Sequence, residues 1–347
     1  LNQNNMGYSN SIEKGTVTMC QNDILSTTGI LANFGTFVAG AENGKTVLLH
    51  PNGDELSSQP GDCSITRENP TDKDVAWEIG KVAIGSEWCY SALKDAYRVD
   101  STAVADLTQV PEARKAIINY NITSAARSVV ALALLGNTSA TLAGLKGCDG
   151  VIKRALAAVA TKTARRTAID TNTDAAFATV GTALKYLKQM LIDAPADVTA
   201  ANSVILCTQK FYMHLMNDIE AKYPTKEMND AEIYGTNLNL RNLGVRMMQY
   251  NGYTLIGCPT LDNVIRLSAA KGDTTSCVLK DHPYFAMFVN KDNVGFGSNG
   301  NKSLDGGNLA SVEAKINYDA ASRKVISDID FTLGTSILDT DLMQLLY

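Results

Sequence analysis

The sequence predicts an α+β protein, a mixed helix-and-sheet body that carries one long β-hairpin and opens with a polar arm. Three observations carry that expectation. Two segments repeat apolar residues at steps of three and four, as a helix with one buried face requires. Several short runs, most of them in the last hundred residues, alternate or cluster β-branched and aromatic residues between turn signals. Residues 1–22 are rich in Asn and Ser and hold too little apolar surface to offset the entropy of ordering them.

The arm is therefore expected to become ordered on a partner. Behind it, KTVLLH (Lys45 to His50) reads as a strand that stops at the turn signal Pro51, Asn52, Gly53. A polar stretch with two prolines follows. Then VAWEIGKVAI places Val75, Trp77 and Ile79 on one face, with Gly80 allowing a shift to Val82 and Ile84. Residues 44–86 thus read as a two-stranded excursion. Such a hairpin is marginal in water by itself, so its apolar face needs something to lie on.

Pro111 sits where a first helical turn tolerates it, and Ile118, Ile122, Ala125, Val129 and Leu132 keep a helical rhythm until Gly136. From Glu112 to Leu135 this helix would run about 36 Å at 1.5 Å per residue, long enough to act as a spine. A second helix is expected from a Thr173 cap through Phe177, Val180, Leu184, Leu187 and Leu191 to Pro195. SVILC (Ser203 to Cys207) reads as a buried strand, and TQKFYMHLMNDIEAK as a helix capped by Thr208. The remainder reads mostly as strand: GYTLIGCP (Gly252 to Pro259), YFAMFV (Tyr284 to Val289), VEAKINY (Val312 to Tyr318) and DIDFTLG (Asp328 to Gly334). No internal repeat and no low-complexity linker divides the chain.

Composition narrows the function classes. At 347 residues the chain can bury a substantial core. A net charge of -5 and a pI near 5.3 give no electrostatic footprint for tight, sequence-independent binding to nucleic acid or anionic membrane. Cys20, Cys63, Cys89, Cys148, Cys207, Cys258 and Cys277 are odd in number, scattered and without a C-x-x-C pair, which suits a reducing cytoplasm rather than a disulfide framework or a zinc knuckle. No apolar run reaches the ~18 residues of a membrane span. The start at Leu1 is expected to be either a trimmed or a processed end.

Candidate chemistry is sparse. His50, His214 and His282 stand in no metal-ligand spacing, and the favoured reading of His214 and His282 is structural or solvated. VGFGSNG (Val294 to Gly300) follows a strand without opening a helix, so it reads as a turn and not as a phosphate cradle. Asp328 and Asp330 share one strand face, where a solvated face is favoured over a cation or acid/base site. KRALAAVATKTARR (Lys153 to Arg166) carries five basic side chains, for which a solvated or subunit-contact role is favoured over phosphate binding. No catalytic set, metal or cofactor is expected. Trp77, Trp88 and Tyr90 lie on or beside the hairpin, which lacks a local core. Trp88 is read equally as core or contact, and Trp77 as buried against another subunit.

In its order of elements, the chain resembles the major capsid protein of tailed bacteriophages, the Hong Kong 97-type fold. Lys81 to Tyr97 looks like the return strand of that family's E-loop leading into the next helix. Pro111 to Asn137, ending ALALLGN, looks like its spine helix, and YTLIGCPTLDN fits the same plan. The resemblance implies an N-terminal arm at 1–43, an E-loop at 44–86, a P-domain at 87–149 with 306–347, and an A-domain at 150–305. It also implies a non-enzymatic subunit that assembles with itself as hexamers and pentamers into an icosahedral shell. Such a shell would form in the bacterial host cytoplasm and become the virion capsid around non-specifically held double-stranded DNA, without a membrane. Portal, scaffold and decoration proteins are its implied partners. The E-loop and its flank (Val75, Trp77, Ile79, Trp88, Tyr90) would supply inter-subunit contacts, and Ile118, Ile122, Val129 and Leu132 the spine. Trp77→Ala is then expected to weaken particles without unfolding the subunit. The alternatives are an encapsulin-like compartment shell, which shares this fold, and an α+β hydrolase suggested by the Ser203 to Lys222 strand-helix unit.

Overall fold

The computed structural model describes residues 16–20, 30–39, 41, 44–49, 72–89, 127–199, 202–222, 246–271, 276–298, 311–319 and 324–347. In the first half these form β1 (Thr16–Cys20), α1 (Ile30–Phe34), β2 (Thr36–Ala39), β3 (Gly44–Leu49), β4 (Asp72–Cys89) and α2 (residues 127–135). Then come α3 (Val151–Thr161), β5 (Arg166–Thr167), α4 (Asp174–Phe177), α5 (Thr182–Asp193), β6 (Ser203–Thr208) and α6 (Gln209–Lys222). The chain closes through β7 (Arg246–Tyr250), β8 (Tyr253–Cys258), α7 (Pro259–Ala270), β9 (Ala286–Asn290), β10 (Val294–Ser298), β11 (Ser311–Asp319), β12 (Lys324–Ile337) and β13 (Met343–Leu346).

Two sheets organise these elements. The six-stranded one runs β5-β13-β9-β6-β8-β7 and is mixed, with β6 parallel to β8 and antiparallel to β9. Every residue of β6 is buried because both faces are covered. Val204 and Leu206 point into a core shared with α2, α3 and α7, while Ile205 and Cys207 point into a second core built with α5 and α6. The period of two along SVILCT thus feeds two cores at once.

Several helix ends are set by residues far away in sequence. The helix expected from Thr173 to Leu191 is two helices: Thr173 caps α4 by accepting from Ala176 N at 3.4 Å, and Gly181, at φ 94°, breaks the rhythm before α5. Asp218 on α6 accepts from Gly181 N at 2.6 Å and Leu184 N at 2.9 Å, so it caps α5 from outside. Thr208 is not the cap of α6. That role falls to Asp262 on α7, which accepts from Gln209 N and Lys210 N at 2.6 and 3.2 Å. Helix α7 was not expected from sequence, although Pro259 stands at its first turn.

The seven-stranded sheet is organised around β12. One edge of β12 pairs with β4 from Glu78 to Cys89, and the other pairs first with β11 and then with β10. β1 lies antiparallel on β11, and β2 lies parallel on β10. The segment expected as a free arm is therefore tied to its own chain, since β1 and β2 join this sheet and Ile30, Leu31 and Phe34 are buried in the core. The hairpin is also shorter than expected. β3 pairs only with the outer part of β4, Asp72 to Trp77, and from Glu78 onward β4 is a strand of the main sheet. Gly80 produces no shift in phase, because the register with β12 runs unbroken from Lys324↔Cys89 to Thr335↔Glu78. The boundary expected at 305/306 does not separate the sheets: β10, before it, pairs with β12, and β13, after it, pairs with β9.

Candidate assembly surface

Strand β4 changes neighbours between Trp77 and Glu78, and three of the four residues from Trp77 to Gly80 are held by three other parts of the chain. Trp77 is 5% exposed. Its ring lies on β10 over Gly295 and Gly297, beside Ala41: a Cβ added at Gly295 would meet the ring at 2.8 Å, and one at Gly297 at 2.5 Å. Glycines two apart on a strand leave one face bare, and a flat indole fills that slot. Glu78 accepts from Arg154 Nη2 on α3 at 2.9 Å, while Arg154 Nε donates to Thr335 Oγ1 on β12 at 3.2 Å. Gly80 abuts the carbonyl of Gly147, which occupies the space a side chain would need. The expected burial of Trp77 against another subunit is corrected accordingly, since the ring finds its cover within its own chain. VGFGSNG is corrected too: Val294–Ser298 is strand β10, not a turn.

The five basic side chains of the 153–166 stretch all find partners within the chain. Lys153 reaches Asp149 at 2.7 Å and Asn137 at 2.9 Å, Arg154 reaches Glu78, and Lys162 reaches Asp341 at 2.5 Å. Arg165 stands 3.8 Å from Asp341, and the Arg166 guanidinium sits 4.4 Å above the Tyr347 ring. These pairs stitch α3 to β4, to the loop after α2 and to the end of the chain. The sequence reading of a solvated or subunit-contact face did not anticipate these partners within the chain, although Arg166 and part of Lys162 remain exposed. Burial alone would raise the Asp149 carboxyl, but hydrogen bonds from Lys153 and Thr138 outweigh it and hold the group below the usual carboxylate range.

Beyond its base, β4 presents an open face. Lys81, Ala83, Gly85, Glu87 and Cys89, which share one face of the strand, are all exposed, and Val82 on the other face is half-buried. The Lys324–Glu87 ion pair, at 2.7 Å, crosses that face. On the other side, Val82 and Gly147 pack against Leu132 of α2. Val129 and Leu132, two of the expected spine residues, are buried there, whereas Ile118 and Ile122 lie outside the described residues. Val75 stands opposite Thr46 in the ribbon, Ile79 is half-buried opposite Gly334, and Trp88 stands opposite Val325. Tyr90 lies outside the described residues.

Reactive groups are structural where they can be followed. His214 Nε2 lies 3.3 Å from the Tyr284 hydroxyl, which donates to Asp174 at 2.9 Å and stacks on Phe177 at 3.8 Å. Burial and that hydrogen bond raise the Tyr284 hydroxyl above its ordinary value, so it is a held donor and not a nucleophile. Ser203, at the head of the strand-helix unit, donates a hydrogen bond from its hydroxyl to the Val198 carbonyl. Burial pushes the Cys148 thiol up to about 12 and the Cys258 thiol up to about 11, which keeps both inert. Among the described residues no group of three His, Cys, Asp or Glu side chains is placed to hold a metal, and no helix is long and apolar enough to cross a membrane. Asp328 and Asp330 stand on β12 opposite Lys315 and Glu313.

The sequence matches no protein-family model and no curated protein. The fold does match solved structures. A chain of the satellite phage P4 procapsid that includes the size determination (Sid) protein is similar over 94% of this chain and 89% of its own, with a TM-score of 0.52 and 11% identity. A chain of Mycobacterium phage Ogopogo is similar over 91% of each, with a TM-score of 0.51 and 12% identity. The protein has the Hong Kong 97-like α+β capsid fold of tailed bacteriophages.

Proposed function

We propose that this chain is the shell-forming subunit of a tailed bacteriophage, without catalytic activity, which assembles with copies of itself as hexamers and pentamers into a closed container for double-stranded DNA. The observation that carries the proposal is the match in fold over nearly the whole length to a chain of a phage procapsid. The β3–β4 ribbon and the open face of β4 supply area for contacts with neighbouring copies. Spread over several neighbours, many modest contacts add through effective concentration, which suits a shell better than one strong bond. Packaged nucleic acid would be enclosed by the shell more than bound by it, since the chain's net charge of -5 offers no general attraction to phosphate. Such a particle would assemble in the host cytoplasm, with a portal, scaffold or decoration protein as further partners.

Negative-stain microscopy of the purified protein tests the reading. Closed particles of uniform size are expected, with nuclease-protected nucleic acid in those that have packaged. A monomer at every concentration would overturn it, and closed particles carrying a co-purified enzyme in place of nucleic acid would turn it toward a cargo compartment.

A further inference from the structure

The geometry points to Trp77, Glu78 and Gly80 as positioning residues. They fix the direction in which the β3–β4 ribbon leaves the free subunit, so that its approach to a second copy of this chain is set before assembly. The inference rests on the shell reading and adds to it a preset ribbon and the residues that preset it.

The ladder of this two-stranded ribbon continues into the main sheet through β4 alone, while β3 follows the sheet strand β2 after residues 40–43, so without further anchors the ribbon could still tilt about the last ladder bond. Here the last ladder pair is Thr335↔Glu78, and the anchors cluster around it. The indole of Trp77 reaches β10, the Glu78 carboxylate reaches α3, and Gly80 is pressed against the loop that follows α2. One anchor leaves a rotation free, but three directed to different elements remove it. They are unequal in strength. The Glu78 side chain is 65% exposed, so its ion pair adds little stability and serves mainly to aim the strand. The buried indole and the Gly80–Gly147 contact leave no slack, because any tilt of β4 must lift the ring off two glycines or drive the strand into a carbonyl. Arg154 extends the pin inward: it also holds Thr335, whose hydroxyl donates to the Asp149 carbonyl at 2.5 Å. A ribbon fixed in this way enters an interface without first losing conformational freedom, which favours association.

Single-molecule energy transfer on the full chain at picomolar concentration, where copies do not meet, tests this. Dyes are carried on unnatural residues at ribbon position 74 and at exposed Lys188 on α5. The native chain is expected to give one narrow distance population. Gly297→Val, which expels the ring, is expected to widen it about twofold and to raise the concentration needed for particles about tenfold. Arg154→Gln is expected to move both in the same direction but less. If Gly297→Val loses its circular dichroism, Trp77→Leu takes its place with the same expectations. A native population already as wide as the variants, or folded variants that leave it unchanged, would overturn the inference. The shell reading is scored separately by microscopy. Particles built from subunits with a wide population sink the preset ribbon alone, and a narrow population without particles sinks the shell.

Discussion

The two sheets differ in how far one chain completes them. In the six-stranded sheet, β6, β9 and β13 lie between two cores, and helices from both sides leave their side chains almost no contact with water. In the seven-stranded sheet, one face of β4 is open from Lys81 to Cys89, and its outer six residues pair in the ladder with β3. The first sheet is finished by folding. The second offers area that folding leaves unused, and the proposed assembly would use it. Within the second sheet the 18-residue β4 passes from the ribbon to the main ladder between Trp77 and Glu78.

The contrast breaks most visibly in the six-stranded sheet. Phe288, fully buried on β9 with its ring 4.9 Å from Tyr253, is expected to cost about 3–5 kcal/mol when cut to Ala. Thermal melting of the free subunit checks this, and a small shift would mean that the sheet tolerates a cavity. Trp77→Ala comes next. Because the ring is covered by its own chain, the variant is expected to lose about 3 kcal/mol of subunit stability, contrary to the sequence-based expectation of an intact subunit in weakened particles. An unchanged melting temperature would restore the interface role. On the open face, Lys81→Glu is expected to leave subunit stability within about 0.5 kcal/mol while lowering particle yield. Equal yields would show that this face meets no neighbour.

A smaller effect is set by pH. His282 packs edge-on to the Tyr347 ring at 4.9 Å, with Arg166 on that ring as well. Burial depresses its pKa; nearby Asp281 opposes this and Arg166 adds to it. The unfolded ring takes a proton near 6.5, while the folded one stays neutral to lower pH. Stability is therefore full above that value and is lost as pH falls below it. His282→Gln is expected to flatten the decline in melting temperature between about pH 7 and pH 5. Parallel curves for the two proteins would assign the decline to other groups. Asp149 contributes lower down, since a carboxyl held below its ordinary value loses its contribution only as pH falls beneath the usual carboxylate range.

Local rules were legible where local chemistry decides. The runs SVILC, YTLIGC and DIDFTLG are strands, Thr173 is a cap, and Gly136 ends α2. What stayed hidden depends on residues far apart in sequence. Asp262 and Asp218 cap helices to which they are not joined, which no window of neighbouring residues reveals. The basic run from Lys153 looked solvated because its partners Glu78 and Asp341 stand 76 and 179 positions away. The Trp77 slot had a readable trace, since Gly295 and Gly297 are spaced for one strand face, but nothing local says which aromatic ring fills it. The arm misled for a related reason: its first strand has little apolar surface and gains its place through ladder bonds with β11.

Hydrogen exchange followed before and after assembly tests the central contrast most directly. Amides of β3 and the outer third of β4, Asp72 to Trp77, are expected to gain protection when particles form, while those of β6 and β9 stay as they were in the free subunit. Particles whose ribbon amides exchange as fast as before, or whose gain falls on the six-stranded sheet, would contradict the account.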